Sequence, residues 1–220
     1  MTKDEQIKND IVDQLEAAGL SKTADINIDV ANGAVTLHGM VDVLAEKWMA
    51  GELARQVSGV TGVDNSLTVA MDRPVTDAQI YTAVEERFRR HPLLDLHDIE
   101  IGVHDGVVYL EGNVASLAQA NTALESAAKV YGVKNVVNHL KIGAPDLVRD
   151  EATLVNNIET ALAHNTVVNP GTIRLETENN KVRLSGYVKN PGQVEAVERI
   201  VSQVPGVGEI ENNLTCDEIQ

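Results

Sequence analysis

The chain has 220 residues, 43% hydrophobic but only 3% aromatic, and a formal net charge of -15. Its cores must be built from Val, Ile, Leu and Ala, and a field of that sign opposes nucleic acid and anionic bilayers unless a local basic patch overcomes it. One cysteine, Cys216, excludes an intramolecular disulfide framework, and no apolar run reaches the roughly 18 residues of a membrane span.

The opening segment, Met1 to Asp10, lacks the apolar stretch of a signal peptide. The expected location is cytoplasmic, or periplasmic if a leader has been removed. Ile7, Ile11 and Leu15 then recur at a spacing of four, which stacks them on one face of a helix. Thr2 and Glu5 have the spacing of a capping box at its start. Ile26, Ile28 and Val30 alternate as a strand, and Asn32-Gly33 suits the tight turn of a hairpin. The second arm, from Val35, is expected to end at Gly39, with Asp42 in a cap position for the next helix. That helix carries Ala50, Leu53, Ala54 and Val57 on its inner face, and a last strand runs from Gly59 to Leu67.

The same series returns twice, after 73 and then 74 residues, as Gly39, Gly112 and Gly186 show. Ile80, Val84 and Phe88 form the second opening helix, behind Thr76 and Gln79; Leu154, Ile158 and Leu162 form the third, with Asp150 as cap. The turns become Asp105-Gly106 and Asn179-Asn180. The later helices follow Ser116 and Asn190-Pro191, and the closing strands run from Gly132 to Leu140 and from Gly206 to Leu214. The expected fold class is α+β, with three tandem α-β-β-α-β domains at 1-72, 75-144 and 148-220. Each has a small three-stranded sheet covered by two helices on one face. Short connectors with Pro74 and Pro145 favour a semi-rigid array.

The element order, the strand with Gly-x-Val at its end, and the closing Val-x-Gly-Val-x-x-Val-x-Asn-x-Leu resemble the BON family of bacterial domains, in three copies that cover nearly the whole chain. The resemblance implies an envelope-, stress- or membrane-associated protein that binds phospholipid or protein, without catalytic residues.

The residues themselves offer no catalytic constellation. Six scattered histidines lack the short helical spacing of a metal pair, no nucleophile motif is visible, and Cys216 takes the place of Val69 and Ile142 at a strand end. No cofactor, metal or enzymatic activity is expected. Gly59-Val-Thr-Gly62 resembles the GxxG loop of KH domains but falls between helix and strand in an acidic chain, which argues against nucleic acid.

Trp48 lies one residue off the core stripe, and its counterparts are Asn121 and Glu195. It is expected to be exposed beside Leu44 and Met49, either inserting at a membrane surface or anchoring a partner, or else packing on the adjoining repeat. Arg87, Arg89 and Arg90 form a basic cluster that suits a helix C-terminus, phosphate headgroups or an acidic partner. Asn65, Asn138 and Asn212 share one position and are expected to bond backbone at a sheet edge or strand entrance, while Gly39, Gly112 and Gly186 are expected to shape the strand-to-helix corner. The functions left open are attachment to phospholipid, multivalent binding of protein partners or of the chain itself, and binding of a small ligand or monovalent ion.

Overall fold

The structure, a computed structural model, describes residues 2-20, 25-71, 73-143, 151-165 and 168-216. The first repeat comprises α1 (Lys3–Ala17), β1 (Ile26–Ala31), β2 (Ala34–Val41), α2 (Leu44–Gln56) and β3 (Gly62–Val69). The second comprises α3 (Asp77–Arg89), β4 (Ile99–His104), β5 (Val107–Val114), α4 (Leu117–Ala128) and β6 (Asn135–Ile142). The third comprises α5 (Glu151–Ala163), β7 (Ile173–Glu178), β8 (Lys181–Val188), α6 (Pro191–Ser202) and β9 (Glu209–Cys216). Each sheet has three strands, with the hairpin's second arm in the middle. In the first and third sheets that arm pairs antiparallel with the strand before it and parallel with the strand after the second helix.

Local chemistry accounts for the elements. Asn32, Asp105 and Asn179 have φ near 50°, and the residues after them are also left-handed, so all three hairpins close on mirror-image turns that match strand twist. Thr2 and Thr76 complete capping boxes with Glu5 and Gln79. Asn190 accepts from the Gln193 amide at 3.0 Å with Pro191 at the first helical position. Ser116 Oγ accepts from the Gln119 amide at 3.3 Å, as the sequence predicts. At α2, however, the cap is Val43, and the Glu46 carboxylate reaches back to the amides of Asp42 and Val43. Asp42 lies one residue too early to cap. The expected roles of Asp150 and Pro145 lie outside the described residues.

The opening helices bury the expected faces, Ile7/Ile11/Leu15, Ile80/Val84/Phe88 and Leu154/Ile158/Leu162. In the first repeat these side chains join Val35, Leu37, Val41, Ala50, Ala54 and Leu67 in one cluster, which places both helices on one face of the sheet. The third repeat reproduces this core with Val182, Leu184, Val188, Val197 and Val201, and Cys216 packs half-buried against it. By its contacts the chain divides into two compact units. One consists of Met1–Arg90, Ile101–Leu110 and Leu124–Asn138; the other of His91–Glu100, Glu111–Ala123 and His139–Gln220.

The middle strand does not end at its glycine. Gly39 pairs with Ile26 and with Leu67, and β2 continues to Val41 opposite Val69. A Cβ at Gly39 would fall on the Asp25 carbonyl, and one at Gly186 on the Thr172 carbonyl, both at φ near +124°. The glycines therefore admit the incoming first strand rather than form the corner to the helix.

Candidate functional site

The core stripe of α2 fixes what that helix shows to water. With Ala50 and Ala54 buried, Trp48 and Met49 project outward, 38% and 43% exposed. Leu44 was expected beside them, but it is buried at 2% and does not belong to that surface. It is the first residue of the helix and lies outside the core cluster of the first repeat.

Trp48 and Met49 line a cleft of about 550 Å³ with Ala45, Leu53 and Asn65, flanked by Glu52 and Arg55 of α2, by Glu125 of α4 and by Lys129 just past the end of α4. Its floor is apolar and its rim carries charge of both signs. Arg55 pairs with Glu52 at 3.3 Å and Lys129 with Glu125 at 3.5 Å, three and four residues apart and exposed. Pairs of this kind are worth only about 0.5 kcal/mol, so either cation can turn to an incoming group at little cost. The volume falls within the range of ligand pockets, and the floor suits an apolar anchor with a polar flank.

Asn65 also lines the cleft. Its amide donates to the Lys47 carbonyl of α2 at 2.6 Å, and its side-chain oxygen accepts from the Leu67 amide at 3.4 Å. Asn65 thus bonds backbone on an edge strand, as expected, and in doing so ties the last strand to the second helix. Space for it comes from Gly51, where a Cβ would lie 2.6 Å from the Asn65 amide nitrogen. In the third repeat the position of Gly51 is Glu198, and Asn212 donates to its carboxylate at 3.1 Å. Asn138 lies exposed on β6.

Arg87, Arg89 and Arg90 are exposed at the end of α3 and are not among the residues lining the Trp48 cleft. Arg89 bonds Glu85 at 3.0 Å and Arg90 bonds Glu86 at 3.2 Å, while the Arg90 Nε also donates to the Glu86 carbonyl. Two of the three are thus paired along their own helix, and Arg90 also serves one of its last carbonyls.

An acidic residue at the start of each opening helix was missed in the sequence. Asp4 accepts from the amides of Asn32 and Gly33, Asp77 from those of Asp105 and Gly106, and Glu151 from that of Asn179. Each clasps the hairpin turn to the helix. The Gly106 and Asp105 amides hold the Asp77 carboxyl below its ordinary range. Asp77, His104 and Asp105 also bring one ligand atom each within 4.8 Å of one another. Both Asp77 oxygens already serve the turn. The signal was available in the alignment: Asp4, Asp77 and Glu151 keep the same 73- and 74-residue steps as the glycines.

The profile of the BON domain matches residues 3-71, 76-144 and 150-218. The chain is 32% identical over 126 residues to the osmotically-inducible protein Y of Escherichia coli strain K12, covering 54% of this chain and 63% of that protein. It is 33% identical over 120 residues to the outer membrane lipoprotein DolP of Haemophilus influenzae, covering 53% and 62%. It is 28% identical over 142 residues to a 21 kDa hemolysin of Actinobacillus pleuropneumoniae, covering 60% and 73%. The chain therefore spans less than two thirds of the first two relatives. None of the three is named as an enzyme, and among the described residues no helix is long and apolar enough to cross a membrane.

Proposed function

Because the chain belongs to the BON family, we propose that it is a non-enzymatic binding and scaffolding protein, related to envelope or stress function, whose Trp48 cleft docks an amphipathic group of a protein partner. The observation that carries this reading is a half-exposed tryptophan over an apolar floor with charges of both signs at the rim. An aromatic anchor in a concave, mixed-charge setting is the arrangement that concentrates binding energy at protein interfaces. Glu52, Glu125 and a net charge of -15 oppose an anionic bilayer at the same place.

A phospholipid surface is the second reading. Arg55 and Lys129 stand beside Trp48, and one relative is named an outer membrane lipoprotein. A single tryptophan makes the two separable, because all indole emission comes from the cleft. With phosphatidylglycerol vesicles at low salt, no emission shift and no co-sedimentation are expected. A blue shift with co-sedimentation that Trp48→Ala abolishes would replace the protein reading by the lipid one. A photoreactive side chain at position 49 is expected to give discrete protein adducts in cells. Adducts unchanged by Trp48→Ala would remove the cleft from the function.

A further inference from the structure

The junction between the second and third repeats rests on two backbone hydrogen bonds. The Leu117 amide donates to the Val207 carbonyl at 3.0 Å, and the Gly206 amide donates to the Ala115 carbonyl at 2.9 Å. The strand-to-helix corner of one repeat thus seats on the helix-to-strand loop of the next. Ala115 to Leu117 is the donor corner, and Gly206-Val207 is the acceptor loop.

Every repeat has a corner and a loop at these places, and the loops have one shape. Gly59, Gly132 and Gly206 have φ of 92°, 91° and 93°. Val60, Val133 and Val207 each donate to the valine three residues earlier, all at 3.2 Å. Their exposure differs. Val133 and Val207 are fully buried and Gly132 and Gly206 are buried, whereas Gly59 and Val60 are half-buried. The first repeat therefore holds a preformed acceptor loop, partly open, with an apolar side chain at its centre.

The donor corners are not equivalent. The position of Leu117 is Leu44 in the first repeat and Pro191 in the third. Proline has no amide hydrogen, so the third corner keeps the Lys189 carbonyl as an acceptor and loses the donor. A second copy offering its third repeat would form one of the two hydrogen bonds. A BON-type corner with any other residue there would form both.

We propose that the Gly59-Val60 loop is a docking face for the strand-to-helix corner of a BON-type domain on another chain, and that Pro191 keeps the third repeat of a second copy from being that domain. The docked geometry continues the junction already present between Ala115-Leu117 and Gly206-Val207. Pro191 is then a device against open head-to-tail growth, which a heterologous contact repeated along a row of like chains otherwise permits.

Full-length protein tests this with two variants. Val60→Glu combined with Pro191→Leu makes a chain that can donate but not accept; the unaltered chain accepts but does not donate well. Each alone is expected at the monomer mass of 23.7 kDa by sedimentation equilibrium, and their mixture at twice that mass. Pro191→Leu alone is expected to self-associate about tenfold more tightly than the unaltered chain, the worth of one recovered hydrogen bond. It also serves if the double variant fails to fold. The proposal is overturned if Pro191→Leu, folded by circular dichroism, associates no more tightly than the unaltered chain up to about 1 mM, the effective concentration a short linker supplies within the array. It is equally overturned if Val60→Glu leaves the association of Pro191→Leu unchanged.

Discussion

The second helices of the first and third repeats, α2 and α6, cover equivalent sheets and bury equivalent residues, Ala50 and Ala54 in one and Val197 and Val201 in the other's register. Their outer surfaces have parted. On α2, Trp48 lines an apolar cleft, and Gly51 leaves the space in which Asn65 reaches the helix backbone. On α6 the same two places are Glu195 and Glu198, and Asn212 meets a carboxylate instead. The cleft beside α6, about 490 Å³, is lined instead by Asn157 and Thr160 of α5, by His164 just past its end and by Ile200. One scaffold thus holds two unlike surfaces, and the burial pattern that makes the fold leaves position 48 unconstrained.

The largest expected effect tests what the two repeats share. Alanine at Gly39 or Gly186 must place its Cβ on a carbonyl of the incoming strand and accept positive φ as well. Each substitution is expected to cost on the order of 3 kcal/mol in chemical denaturation followed by circular dichroism. Equal losses are expected. A loss confined to one repeat would mean that the two sheets are not built alike.

Gly51→Ala comes next and sharpens the difference. Alanine gains about 1 kcal/mol of helix propensity, yet its Cβ displaces the Asn65 amide and leaves the buried end of that bond unmet, at about 1 to 3 kcal/mol. A net loss of about 1 kcal/mol is expected. Glu198→Ala, whose partner Asn212 stands near water, is expected to stay within about 0.5 kcal/mol. A stabilised Gly51→Ala would show that the asparagine tie to α2 is dispensable.

What was legible in the sequence follows the same division. Periodicity located the six α-helices of the described residues and the glycine-marked strands, because a core face repeats every two or about 3.6 residues whatever its surroundings. It also exposed Trp48, since the stripe of α2 leaves no room for it inside. It misplaced Leu44, because burial at a helix's first turn depends on where the preceding strand delivers the chain. The clasp by Asp4, Asp77 and Glu151 spans 28 residues to its turn, and one acidic residue in a helix's first turn is explained equally well by the helix dipole. Glu125 and Lys129 belong to a different repeat from Trp48, so no local pattern could bring them to the cleft.

The outer face of the third sheet adds a difference that responds to pH. Lys181 meets Glu209 at 2.9 Å and Glu211 at 3.2 Å, and Arg183 bridges Glu211 and Glu176. The first repeat has Ala34, Thr36, Gly62 and Asp64 at the places of Lys181, Arg183, Glu209 and Glu211. Hydrogen bonds from Arg183, then Asn213 and Lys181, hold the Glu211 carboxyl down at about 2 from an ordinary 4.5. Because the folded value is the lower one, the stabilisation is complete above about pH 4.5 and is lost as pH falls toward about 2. Thermal melts should therefore fall more steeply over that interval in the unaltered chain than in Glu211→Gln. Parallel slopes would show that the ladder does not act on stability.

Trp48→Glu should have the smallest effect on folding, although it changes the cleft most. The substitution installs on α2 the residue that α6 carries at the same place, on a side chain 38% exposed, so unfolding should shift by no more than about 0.5 kcal/mol. The cleft would lose its one aromatic side chain and gain a third carboxylate beside Glu52 and Glu125. A larger loss, about 2 kcal/mol or more, would mean that the indole is packed as part of the fold and is not held out for a partner. Unchanged stability together with lost position-49 adducts would separate the two roles, with the shared glycines making the fold and the unshared tryptophan making the binding site.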